Sequence, residues 1–111
     1  MATYTTKELV PATALTTSAA SLYSAPSSTT TTIKTIVLAN VTAADVTVTV
    51  HLVASGGSVG TSNKILGAVT ISANTTEFID TAVVIPTGAS IQALCSSNAA
   101  VNIHISGIEI A

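Results

Sequence analysis

Two histidines, five carboxylates and one cysteine are the groups in this 111-residue chain with the most scope for chemistry. His51 and His104 stand in alternating runs, Val46 to Val53 and Val101 to Ser106, and successive side chains of a strand point to opposite faces. Both fall on the polar parity, His51 with Thr47 and Thr49, His104 with Asn102 and Ser106. Neighbouring strands, or an oligomer axis, could bring the two imidazoles together on a metal. No third ligand has motif spacing, so ordinary hydrogen bonds at an interface are the expectation, with no metal and no other cofactor. Of the carboxylates Glu8, Asp45, Glu77, Asp80 and Glu109, only Glu77 and Asp80 are close in sequence, and strand geometry sends them to opposite faces, which speaks against a general acid/base pair. Serines are plentiful, but no Gly-x-Ser-x-Gly elbow holds one as a nucleophile. Cys95 shares parity with Ile91 and Ala93 and reads as a small buried hydrophobe. The expectation is a protein that is not an enzyme.

The elements that carry these residues are strands. Val46, Val48, Val50 and Leu52 share one face of the clearest run, opposite Thr47, Thr49 and His51. Further strands are expected at Ile33 to Ala39, Lys64 to Ser72 with a bulge at Gly67, Glu77 to Ile85, from Ser90, and from Val101 to the end. Both parities of Glu77 to Ile85 become apolar towards its end, the pattern of a strand covered on two sides. Turns are signalled by Ser55-Gly56-Gly57-Ser58, Ala73-Asn74-Thr75, Ile85-Pro86-Thr87-Gly88 (as a type I turn) and Ser97-Asn98-Ala99-Ala100. After Gly107 the apolar positions Ile108 and Ile110 change parity, which predicts a bulge at that glycine. Pro11 and the Ala-Thr-Ser stretch up to Ser21 are read as an extended amino-terminal arm over residues 1–20, with a disordered tail as the alternative, ahead of a sandwich domain over 21–111. Six to eight short antiparallel strands with regular turns and no helical period make this an all-β chain. The fold expected is a single β-sandwich, jelly-roll or immunoglobulin-like; the Cys-Trp-Cys pattern of antibody-type domains is missing.

Charged residues are 7% of the chain, the net charge is −2 and the apolar fraction is 48%. That is the reverse of a disordered composition, and it removes most of the like-charge repulsion that keeps monomers apart. With three lysines, no arginine and three aromatic residues, direct binding of nucleic acid is not expected. Apolar runs reach about four residues, as at Ile36 to Ala39, far short of the roughly 18 of a membrane span. The first residues carry no basic segment followed by an apolar stretch, so no secretory signal and synthesis in the cytoplasm are expected, and the Asn-x-Thr matches at Asn40 and Asn74 carry little meaning. Thr47 and Thr49 form too short an array to read as an ice-matching surface, since threonine is simply a good strand former.

Leu22-Tyr23-Ser24-Ala25-Pro26, Ile33 to Asn40, Val46 to Val53, Asn63 to Leu66, Pro86 to Ile91 and the closing Ser106-Gly107-Ile108-Glu109-Ile110, taken in that order, resemble small virion structural proteins of tailed bacteriophages. The likeness covers about residues 22–110. It implies a β-sandwich present in many copies on a particle, with no catalytic residues, as a capsid decoration or cement protein. Such a protein would be a homo-oligomer, expected as a trimer, in contact with partners such as the major capsid protein. The arm would reach a neighbour, and Thr47, Thr49, His51, Asn102 and His104 are the candidate interface residues. The alternative is a receptor- or carbohydrate-binding module of a tail, collar or fibre, using the loops Ser55 to Asn63 and Ser96 to Asn102, although neither loop has the aromatic platform that sugars favour.

Overall fold

The computed structural model describes residues 3–80 and 82–111. Its described residues form nine strands: β1 (Tyr4–Ala14), β2 (Ala20–Ser24), β3 (Thr30–Asn40), β4 (Val46–Val53), β5 (Lys64–Ile71), β6 (Thr76–Asp80), β7 (Val84–Ile85), β8 (Ser90–Cys95) and β9 (Val101–Ile110). One sheet has the order β1-β9-β3-β6, with β7 also beside β3, and the other has the order β2-β8-β4-β5; every pairing is antiparallel. The pairs β1:β9, β2:β8, β3:β6 and β4:β5 are nested, as in one long antiparallel ribbon wrapped over itself. That wrapping is the jelly roll, and it decides between the two topologies the sequence leaves open.

Alternation builds the core. Val46, Val48 and Val50 of β4, Ile91, Ala93 and Cys95 of β8, Ile36 and Leu38 of β3, and Val101, Ile103 and Ile105 of β9 all lie in the space between the sheets, each at most 2% exposed. Burying one such branched aliphatic side chain stabilises the fold by roughly 1.5–3 kcal/mol. The core is aliphatic: Phe78 and Tyr4 lie outside it, and Tyr23 packs only against its margin.

The amino-terminal segment is extended, and eleven of its residues form β1 along β9 of the same chain. Leu9, Val10 and Leu15 belong to the core. In this fold, therefore, the sandwich already begins at β1. The run 77–85 divides into β6 and β7, both beside β3, and its outer parity is uncovered, with Phe78 69% and Val84 52% exposed. The turn after β7 is shifted by one residue: Ala89 N–H donates to Pro86 O (3.0 Å), and Gly88, at φ +84°, holds the third position, where a type II turn needs a glycine. The bulge expected at Gly67 is present, since β5 loses register with β4 there, but the left-handed conformation falls on Ala68.

Gly107 does not bulge. Strand β9 alternates without interruption, and the extra residues sit in its two neighbours, at Leu9 in β1 and Lys34 in β3. The reason is steric. A Cβ on Gly107 would come within 2.2 Å of Thr32 O, 2.9 Å of Leu9 Cδ1 and 3.1 Å of Ile33 Cα, so the neighbouring strands crowd in where β9 has no side chain. Gly107→Ala is expected to lower stability by about 1–3 kcal/mol through overpacking, read as a lower urea midpoint with an unchanged slope.

Candidate functional site

Register arranges the outer face of the five-stranded sheet in rows across the strands. Tyr4, Ile110 and Thr30 form one row; Thr6, Ile108, Thr32 and Val84 the next; then come Glu8, Ser106, Thr35 and Asp80. Beyond these lie His104, Val37 and Phe78, and then Ala14, Asn102, Ala39 and Thr76. The face thus has an apolar end, a polar middle and a second apolar patch at Val37 and Phe78. In the polar middle His104 Nε2 meets Glu8 Oε2 at 2.9 Å, and Thr35 Oγ1 donates to Asp80 Oδ1 at 3.2 Å. The change of parity at Ile108 and Ile110, read in the sequence as a bulge, instead places two isoleucines on this outer face.

On the opposite flank, Thr47, Thr49 and His51 occupy the outer parity of β4, with Thr70 of β5 beside Thr47 and Gln92 of β8 beside His51. The five residues singled out in the sequence therefore divide between two faces of the sandwich, Asn102 and His104 on one and Thr47, Thr49 and His51 on the other. The two histidines lie in different sheets and do not converge. His51 is also only 4% exposed, because the loop after β4 folds back over it. Its Nδ1 donates to Asn63 Oδ1 (2.8 Å), an oxygen that also accepts from Gly60 N–H (3.0 Å), while Asn63 Nδ2 donates to Ser58 O (2.9 Å). Asn63 is thus the pin that closes the loop at 54–60 over an imidazole, and among the described residues no three His, Cys, Asp or Glu side chains gather as a metal site would require.

A polar cluster that the sequence does not announce closes one end of the sandwich. Tyr23 on β2, in one sheet, donates its hydroxyl to Glu109 Oε2 on β9, in the other (2.5 Å), and lies 2.7 Å from Thr31 Oγ1 on β3. Lys7 Nζ approaches the same carboxyl oxygen at 3.4 Å from β1. Glu109 is on the inward parity of β9, in line with Val101, Ile103 and Ile105, which is the signal by which it could have been found. Burial first, and then the bond to Glu109, push the Tyr23 phenol up to about 12. Beside this end, a shallow hollow of about 550 Å³ is lined by Thr6, Lys7, Glu8, Lys34, Ser106, Gly107 and Ile108, opened where the two bulges flank Gly107.

Chemically, these groups brace and dock. His104 and Glu8 bond to each other, and among the described residues no hydrogen bond joins either of them to Ser106, which stands opposite Glu8 in the register. No protein-family model and no curated protein matches the chain. Among solved structures, it is similar to a chain in the structure of infectious bursal disease virus, Gx strain, at 13% identity and a TM-score of 0.51, covering 99% of this chain and 31% of that one. The Gt strain gives 11% identity and a TM-score of 0.52 over 98% of this chain and 32% of that one. The Tobacco streak virus coat protein gives 13% and 0.48, over 99% and 85%. The chain spans under a third of the two bursal disease virus chains, and the likeness to them is one of fold.

The Tyr23 cluster sets two expectations. Tyr23→Phe removes the nearest donor of a largely buried carboxyl, leaving it Lys7 Nζ at 3.4 Å, and should cost about 1–3 kcal/mol at neutral pH, measured by urea unfolding. The folded state holds the Tyr23 proton up to about pH 12, whereas the unfolded chain releases it near 10. Stability is therefore full below pH 10 and falls as the pH rises through that window; Tyr23→Phe should flatten this slope, while Tyr4→Phe leaves it in place.

Proposed function

We propose that this chain is a non-enzymatic structural protein of a virus particle, most specifically a decoration or cement subunit on the capsid of a bacteriophage. The observation that carries the reading is a jelly-roll sandwich whose two broad outer faces are nearly free of unpaired charge and hold Tyr4, Phe78, Val84, Ile108 and Ile110 on one side and a threonine-rich surface on the other. Jelly rolls recur in viral capsids and in lectins, and fold alone does not choose between such uses. The loops at 54–63 and 96–100 contain no aromatic residue for a sugar to stack on, which favours the capsid use. The fold likeness to chains of infectious bursal disease virus supports the same side.

In this reading the sandwich flanks face other proteins of the shell, with Thr47 and Thr49 on one and Asn102 and His104 on the other, and the amino-terminal segment lies along the rim. Few charges need to be desolvated, apolar contact contributes roughly 25 cal/mol per Å² removed from water, and repetition over a shell makes modest contacts collectively strong. Imaging of the intact particle is the test. Many symmetry-related copies over the capsid are expected, whereas a few copies confined to a tail tip, or absence from the particle, would overturn the proposal.

A further inference from the structure

Four strands of the sandwich end a sheet with a free edge of substantial length, and natural monomers blunt such edges with bulges, proline or charge. Proline or breaks of register interrupt three of them here. Strand β1 contains Pro11 and two breaks of register, β2 has a break between Ser21 and Tyr23, and β5 has two. The fourth, β6, has neither proline nor bulge: it runs beside β3 in unbroken register from Thr76 to Asp80, and its only edge protection is the pair of charges Glu77 and Asp80, which restricts the registers a partner strand can take. At its centre stands Phe78, the one phenylalanine of the chain, 69% exposed on a sandwich whose core is aliphatic.

The direction of the main chain can be read from the ladder. Asn40 N–H donates to Thr75 O (2.9 Å), so Asn40 and Thr75 are a hydrogen-bonded pair, and alternation makes Leu38:Glu77 and Ile36:Ile79 the next ones. Thr76, Phe78 and Asp80 therefore turn their N–H and C=O groups away from β3, to the open edge. We propose that two copies of this chain pair edge to edge through β6, antiparallel about a two-fold axis at Phe78, joining their five-stranded sheets into one continuous sheet.

The register follows from the side chains. Centred on Phe78, the pairing sets Phe78 against its copy, Thr76 against Asp80 of the second copy, and Glu77 against Ile79, so no like charges are directly opposed. The nearest like charges, Glu77 and its copy, lie diagonally, roughly 7–8 Å apart, and are exposed to water. Sliding the centre to Glu77 would oppose two carboxylates. The pairing also accounts for the sequence of this strand, whose two apolar parities are those of a covered strand although one chain leaves the outer parity bare. It deepens the self-association within the proposed function without depending on the particle: the two-fold replaces the trimer expected from the family resemblance, and it belongs to the free chain.

Sedimentation of the purified wild-type chain should show a dimer. Phe78→Lys should sediment as a monomer that still unfolds cooperatively, with a melting midpoint that no longer depends on protein concentration as the wild type's does, while Tyr4→Lys on the β1 edge should remain dimeric. Cysteine trapping tests the register: paired residues at the axis have Cα atoms about 5.5 Å apart, within disulfide reach. Under mild oxidation Phe78→Cys should yield a covalent dimer, whereas Thr76→Cys, roughly 14 Å from its copy, should not. A wild-type monomer or trimer, a dimer that survives Phe78→Lys, or equal trapping of both cysteine variants would overturn the pairing. A monomeric chain that nevertheless decorates particles would sink this inference and leave the particle role standing; a Phe78-dependent dimer absent from particles would do the opposite.

Discussion

The inward side of β9 sets the terms for the molecule. Val101, Ile103, Ile105, Gly107 and Glu109 follow one another at the strand period of two, and each meets a different requirement of the space between the sheets. The first three fill it with aliphatic volume. At Gly107 the flanking strands crowd in, with Thr32 O closer to a would-be Cβ than any side chain could accept. At Glu109 the gap opens to solvent, and the polar link to Tyr23 ties the two sheets together where apolar packing ends. Because β9 lies between β1 and β3, its spacing also dictates where those strands take their extra residues, at Leu9 and Lys34.

What could be read from the sequence is what is local. Strand β4 has the expected ends, Val46 and Val53, because strict alternation of valine with threonine leaves little freedom. The turns at 72–75 and 97–100 form as expected, with Thr75 N–H donating to Ser72 O and Ala100 N–H to Ser97 O, both at 3.2 Å. The parity of Cys95 with Ile91 and Ala93 is enough to bury it, at 1% exposed. Asn40 ends β3 as its position suggests, and its side chain explains why: Nδ2 donates to Ala44 O and Ile71 O while Oδ1 accepts from Thr42 N–H, tying the loop to the strand.

What could not be read depends on partners distant in sequence. Parity gives a side chain one of two faces, but it does not say which sheet holds the strand, so His51 and His104 could look like companions when the jelly-roll wrapping sends them to different layers. Nor does parity report a loop that returns to its own strand: His51 is on the outer side by alternation and is buried all the same, because Asn63 reaches back over it. Glu109 sits on an apolar parity without violating it, since its carboxyl finds Tyr23 from a strand 86 residues away. The change of phase at Gly107 is ambiguous in the sequence for a related reason. A bulge in β9 and bulges in both its neighbours leave similar marks in the one-dimensional pattern, and only the close approach at the glycine tells them apart.

The distribution of aromatic residues links packing to association. Aliphatic side chains interdigitate well between two closely spaced sheets, and a core complete without Phe78 and Tyr4 gives those rings no internal role. A large exposed aromatic on a soluble monomer costs solubility unless something else covers it, and the usual safeguard, a charged surface, is thin in this chain. The polar middle row with Glu8 and Asp80 explains why the sheet face is a poor place for that cover to be a second copy. A two-fold laid on the face along or across the strands through that row would press carboxylates towards carboxylates. At the β6 edge the same Asp80 meets a threonine, the free amides find partners and Phe78 is sheltered. The restriction on the face and the opportunity at the edge come from the same few residues, and a protein with so few charges can direct its own assembly by where those charges stand.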